Sequence, residues 1–229
     1  MQSISTEGKY FDSIHSIDLF VDGFEKFLNS LKPLSADNKY VVFAVRDLSW
    51  IALGIISHIA RNLHWRYSAY AAATMTRLLM ECVAEIKYIQ THPKKAKNFW
   101  MSQQKIQNAM REAGENRWGL FSDGTLSKYG RLSDSTNSRV LNMLGQEDFE
   151  RYNFLNFYSH PNIAGYMWVA ADNTQPGVVT RFIAETFFKM IEEMLSAESN
   201  IESQTFNFDK TIKFLRSAYL QYINECEGQ

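Results

Sequence analysis

The sequence predicts an all-α fold, a single helical bundle, and three observations carry that expectation. Apolar residues recur at steps of three and four through most of the 229 residues, which is the period of a helix and not the alternation of a strand. Only four prolines interrupt the chain, and four of its eleven glycines fall together between 114 and 130. A sandwich of many short strands needs turn residues at regular spacing, so that class is excluded. Hydrophobic content of 45% and charged content of 21% suit a large core and exclude a disordered or collagen-like chain.

The elements follow in order. From Lys9 to Leu31, Phe11, Ile14, Ile17, Val21, Phe24, Leu28 and Leu31 form one stripe, and Pro33 stops the helix. A second helix follows Asp37, read as its N-cap, with Val41, Val45, Leu48, Ala52, Ile55, Ile59 and Leu63 on its stripe. The third, Tyr67 to Thr91, is expected to bury Met75, Leu78, Leu79, Cys82, Ile86 and Ile89, and Pro93 begins the next segment. A basic fourth helix covers Lys94 to Ala113. Gly114 to Ser135 has the Gly/Ser composition of a central connection, and Trp118, Phe121 and Tyr129 predict that it packs back on the body. Helices resume over Asn137 to Leu144 and Glu147 to His160, the latter ended by Pro161. Val178 to Ala197 and Asn207 to Glu225 close the chain. The whole, 1–229, reads as one domain with a loop-rich insertion at about 114–136.

Several function classes fall away on composition and motifs. Twenty-four Lys and Arg against twenty-five Asp and Glu give a net charge of -1, so indiscriminate binding to nucleic acid is not the default. Met1 to Tyr10 lacks the apolar core of a secretory signal, and the apolar run Leu48 to Ala60 is short for a bilayer and holds His58. Cys82 and Cys226 offer neither a disulfide framework nor a zinc spacing. A cytoplasmic chain without a membrane partner is expected. No phosphate-binding loop, dinucleotide fingerprint, nucleophile elbow or H-E-x-x-H occurs, so no metal and no cofactor is expected.

What remains is polar residues inside apolar segments. On the third helix Arg77, Glu81 and Glu85 recur every four residues and line one side. Tyr70, Ala73, Ala84 and Tyr88 flank them where a wet face would carry Lys and Gln, which suits contact with a second layer of protein. Tyr152, Asn156 and His160 repeat the spacing among Phe149, Phe154, Phe157 and Tyr158. A helix apolar all round is buried, so its polar members need partners, and Arg77 and Glu81 are the natural ones. Glu81 would fix the tautomer of His160; Arg77 would offer charge to a bound anion or to the Tyr152 and Asn156 oxygens. The plainer alternative is a surface ion pair and a helix-end histidine.

The stretch Arg-Leu-Leu-Met-Glu (Arg77 to Glu81) followed by Ile-Lys-Tyr-Ile, with the later Tyr-Ser-His-Pro-Asn (Tyr158 to Asn162), resembles a family of uncharacterised bacterial helical proteins. It is also distantly similar to HEPN domains, helical bundles that often dimerise and frequently act as metal-independent ribonucleases in defence and stress systems. That resemblance implies an HEPN-like endoribonuclease or an effector derived from one, with His160 as general acid or base and Arg77 stabilising the phosphorane. Glu81 completes the catalytic set, and Tyr152, Asn156 and Tyr158 would hold substrate. The chain departs from the HEPN pattern R-x(4–6)-H, since eight residues separate Arg151 from His160 and point them in opposite directions. Arg77 is therefore the arginine the resemblance would use.

Charge distribution adds an expectation about partners. Pro93 to Arg139 holds nine basic and four acidic residues, interleaved with Trp100, Trp118, Phe121 and Tyr129, the composition of an RNA-facing surface. A homodimer is expected from the family likeness and from Trp65, Tyr67 and Trp168, and a protein partner or antitoxin belongs to the same picture. The competing reading is a non-catalytic helical protein-interaction module in which Arg77, Glu81 and His160 form a structural polar network. A small-molecule sensor lined by Met and Phe is the last of the three.

Overall fold

The computed structural model describes residues 12–33, 35, 38–63, 69–114, 135–159, 178–198 and 206–227. The expected central connection, the Asp37 cap, Trp65, Tyr67, His160 and Trp168 lie outside the described residues. Within them the fold is all-helical: α1 (Asp12–Ser30), α2 (Lys39–Asn62), α3 (Ala69–Thr91), α4 (Pro93–Ala113), α5 (Thr136–Leu144), α6 (Gln146–Ser159), α7 (Val178–Glu198) and α8 (Phe208–Glu227).

Local chemistry sets several boundaries. Pro93 is the first residue of α4, and His92 before it leaves helical geometry at φ −127°, as the steric demand of proline requires. Ser135 caps α5 by accepting from the Ser138 amide at 3.2 Å. Asn207 caps α8 in the same way, at 2.9 Å from the Lys210 amide. Gly145 separates α5 from α6 at φ +91°, a conformation that excludes ordinary side chains. Asn38, next to the expected Asp37, occupies the N-cap position of α2 but makes no side-chain cap.

The centre is α3, which packs on α2, α4, α5, α6 and α7. Its burial is wider than one stripe: Ala72, Ala73, Thr76, Leu79, Met80, Val83, Ala84, Ile86, Tyr88 and Ile89 are all buried. Leu78 and Cys82, expected at the heart of the apolar face, are only half-buried. The reason is that α3 has neighbours on nearly every side, so no single face dominates. Burial and the nearby Glu85 and Glu81 carboxylates push the Cys82 thiol up to about 12, which leaves it a small hydrophobe.

Helix α2 is, among the described residues, the one long and apolar enough by length and composition to cross a membrane. Here its apolar residues pack against α1, α3, α4 and α7. On the far side α1 runs antiparallel to α8. Ser13 at the start of α1 donates to Glu225 near the end of α8 at 2.7 Å, while Phe27 meets Phe208 edge-on at 5.4 Å. Among the Met and Phe residues considered for a sensor pocket, Met80, Met190, Met194, Phe24 and Phe187 are fully buried in the core.

One carboxyl sits inside this core. Glu198, the last residue of α7, is wholly buried and accepts a hydrogen bond from Ser49 of α2. Its second oxygen has no partner among the described residues. Burial pushes the Glu198 carboxyl up to about 8, against the lowering effect of Ser49. Between its ordinary value of 4.5 and about 8 the unfolded chain loses this proton while the folded chain keeps it. Stability therefore falls as pH rises through that window and levels off above it, by up to about 1.4 kcal/mol per pH unit. Glu198→Gln keeps an oxygen for Ser49 and should flatten that slope in melting temperature between pH 5 and 8; an unchanged slope would refute a buried, protonated Glu198.

Candidate functional site

The polar side of α3 faces α6. The two helices run antiparallel, so Arg77 meets Asn156 and Glu81 meets Tyr152. Arg77 Nη1 donates to Asn156 Oδ1 at 2.9 Å. Arg77 Nη2 lies 3.4 Å from Glu81 Oε1, one turn on. Tyr152 donates from its hydroxyl to the same Glu81 oxygen at 2.9 Å, and the guanidinium lies over the Tyr152 ring at 5.9 Å. The cluster links four side chains from two helices, with Arg77 at its centre.

Its electrostatics follow from partial enclosure. The Arg77 and Glu81 side chains are 22% and 23% exposed, well short of the exposed surface pair of the plainer reading. Tyr152 is 3% exposed. Burial first, then the Glu81 charge and its hydrogen bond, push the Tyr152 phenol up to about 12, partly offset by Arg77. The hydroxyl is therefore a donor throughout the neutral range. Arg77 Nε is buried and finds no hydrogen-bond partner among the described residues.

The structure brings Arg77, Glu81, Tyr152 and Asn156 together, with one change in pairing. In place of the expected approach of Arg77 to the Tyr152 oxygen, the hydroxyl donates to Glu81, because the antiparallel register sets Asn156 against Arg77. His160 lies outside the described residues. Tyr158 points elsewhere: it is 2% exposed, and its ring packs on Phe154 at 5.0 Å and Phe157 at 5.3 Å. Six residues after Tyr152 its direction is about 120° away, since each residue turns the helix about 100°. Helix α6 is also not buried all round, for Phe154 and Phe157 are 39% and 50% exposed.

Four further polar contacts join α3 and α6 to their other neighbours. Glu85 takes a hydrogen bond from Arg139 of α5 at 2.9 Å, and Arg139 is itself 7% exposed. Burial raises the Glu85 carboxyl, more than Arg139 lowers it, and Glu81 adds to the rise. Asp148 of α6, 4% exposed, accepts from Lys189 of α7 at 2.7 Å. Arg151 bonds Glu185 at 2.8 Å and Thr186 at 3.3 Å, both on α7, and so faces away from Arg77. No signal in the sequence joins these pairs, which are 34 to 54 positions apart. Among the described residues no group of three or more His, Cys, Asp or Glu is arranged to hold a metal ion.

If the four side chains act as a unit, their contributions to stability are not additive. Tyr152→Phe and Glu81→Met, singly and together, form a double-mutant cycle readable by urea unfolding. A coupling of about 0.5–1.5 kcal/mol is expected; additive effects would mean that the hydroxyl–carboxylate bond contributes nothing.

In comparisons with protein-family models, with curated proteins and with solved structures, nothing matches this chain.

Proposed function

We propose that the chain is a non-catalytic helical interaction module in which Arg77, Glu81, Tyr152 and Asn156 brace α3 against α6. The observation that carries this reading is mutual engagement. Both terminal nitrogens of Arg77 already face Asn156 and Glu81, and one Glu81 oxygen receives both Arg77 and Tyr152. A group that stabilises developing negative charge needs donors aimed at empty space where that charge appears. Here the guanidinium is turned toward a carboxylate of its own helix, which offsets its field for any incoming anion.

A metal-independent endoribonuclease is the second reading, favoured by one observation. Arg77 and Asn156, which the resemblance places with substrate, stand 2.9 Å apart with the Arg77 side chain 22% exposed. In that reading RNA enters beside Arg77, the 2′-hydroxyl attacks phosphorus, and His160 moves the proton.

The two readings separate on cleavage and stability measured together. The brace predicts that purified protein leaves single-stranded and structured RNA intact, in EDTA and in divalent metal alike. It also predicts that Arg77→Ala lowers unfolding free energy by about 1–3 kcal/mol, the cost of breaking a half-buried polar network. Metal-independent cleavage abolished by Arg77→Ala and by His160→Ala, with melting temperatures unmoved, would overturn the brace in favour of catalysis.

A further inference from the structure

The start of α2 and the first half of α4 meet in a face where rings and cations alternate. Trp100 of α4 lies 5.9 Å from the Tyr40 ring and 5.3 Å from the Phe43 ring of α2. Lys39 Nζ sits 5.7 Å from the Tyr40 centroid and 5.9 Å from that of Phe43. Lys97 Nζ is 5.6 Å from Tyr40, and the Arg46 guanidinium is 5.2 Å from Phe43. The indole is held by its Nε1 donating to Asp47 at 3.2 Å, and Asp47 also takes Arg46 at 3.2 Å. All three rings are half-buried, with surface left open, while Lys39, Lys94 and Lys97 are exposed.

Charge at this face is local and uncompensated. Helix α4 carries five basic residues and one acidic residue, in a chain whose net charge is -1. Lys39, Lys94 and Lys97 have no ion pair among the described residues. Burial does not account for the composition either, because only Ala96 and Phe99 of α4 are buried. Flat apolar rings bordered by ammonium groups match one chemistry closely: a polymer of flat bases on an anionic backbone. A duplex hides its base faces, and an acidic peptide supplies charge without rings.

We propose that this α2–α4 face binds single-stranded nucleic acid, with bases stacking on Tyr40, Phe43 and Trp100 and phosphates paired by Lys39 and Lys97. This names a partner for the interaction module, but it stands on residues outside the brace. Either reading can fail alone, since binding needs no cleavage and the brace needs no ligand.

The test uses the full chain and labelled oligo(U) and oligo(dT) of about twelve nucleotides, followed by fluorescence anisotropy at about 50 and about 200 mM salt. Binding that weakens with salt is expected, with quenching of tryptophan emission. The double variant Lys39→Gln/Lys97→Gln, altered only at exposed positions, should bind about tenfold more weakly at the lower salt. Its log–log salt slope should be shallower by about 1.4, at about 0.7 for each phosphate that no longer meets a lysine. Trp100→Phe, which keeps a ring, should retain binding and lose the quench. Tighter binding of oligo(U) assigns RNA, and equal binding assigns single strands of either sugar; both support the proposal. No binding at the lower salt, wild-type affinity in the double lysine variant, or equal affinity for a duplex or polyglutamate would overturn it.

Discussion

Enclosure of α3 is the condition that organises this molecule. A helix with neighbours on nearly every side leaves little wet face for its polar residues, and many are met from a surrounding element, although Thr76 Oγ1 and Arg77 Nε are buried without a partner among the described residues. Arg77 and Glu81 are met by Asn156 and Tyr152 of α6, Glu85 by Arg139 of α5, and Lys87 by Glu193 of α7. Gln90 reaches the Ala197 carbonyl of α7 at 2.9 Å, and Tyr88 bonds Lys95 of α4. Apolar burial supplies the stability, at about 1.5–3 kcal/mol for each large side chain removed from water. A partly exposed ion pair contributes about 1 kcal/mol or less. The polar contacts add less, and each joins one neighbour to the central helix at a defined pair of residues.

That division explains what can be read in the sequence. The spacing of Arg77, Glu81 and Glu85 among small and aromatic residues announces a polar row that is not solvated, and Tyr152 and Asn156 announce its counterpart. Both rows are local patterns. Their pairing depends on the antiparallel approach of α3 and α6, a tertiary fact, so spacing alone assigns the Tyr152 hydroxyl to Arg77 when it belongs to Glu81. The stripe through Leu78 and Cys82 is misplaced for a related cause, because periodicity finds a single best face and α3 has several. Arg139 reads as part of a basic surface, since nothing near it in sequence hints at Glu85. Glu198 carries no signal at all. An acid at the C-terminal end of a helix is disfavoured by the helix dipole and reads as exposed, yet Ser49 of α2 receives it in the core.

The same physics bears on what the brace can do. Tyr152 holds its proton through the neutral range, so its phenol serves as a donor and not as a base. Glu81 is occupied by two donors, Arg77 and Tyr152, on one oxygen.

Two of the groups of partly open rings among the described residues are distinguished by their charges. Phe154 packs edge-on against Phe182 at 4.6 Å, and the nearby Arg151, over the Phe182 ring at 5.3 Å, is already neutralised by Glu185 and Glu147. That patch presents apolar area without net charge. At the α2–α4 face the order is reversed: Arg46 is matched by Asp47, but Lys39, Lys94 and Lys97 meet no carboxylate among the described residues. A stability argument accounts for the first arrangement, because paired charges and packed rings both hold α6 to α7. It does not account for the second, where lysines cluster against one another's repulsion on a helix that buries little. Repulsion of that kind would be relieved by an anion from outside the chain, the kind of ligand we propose for this face.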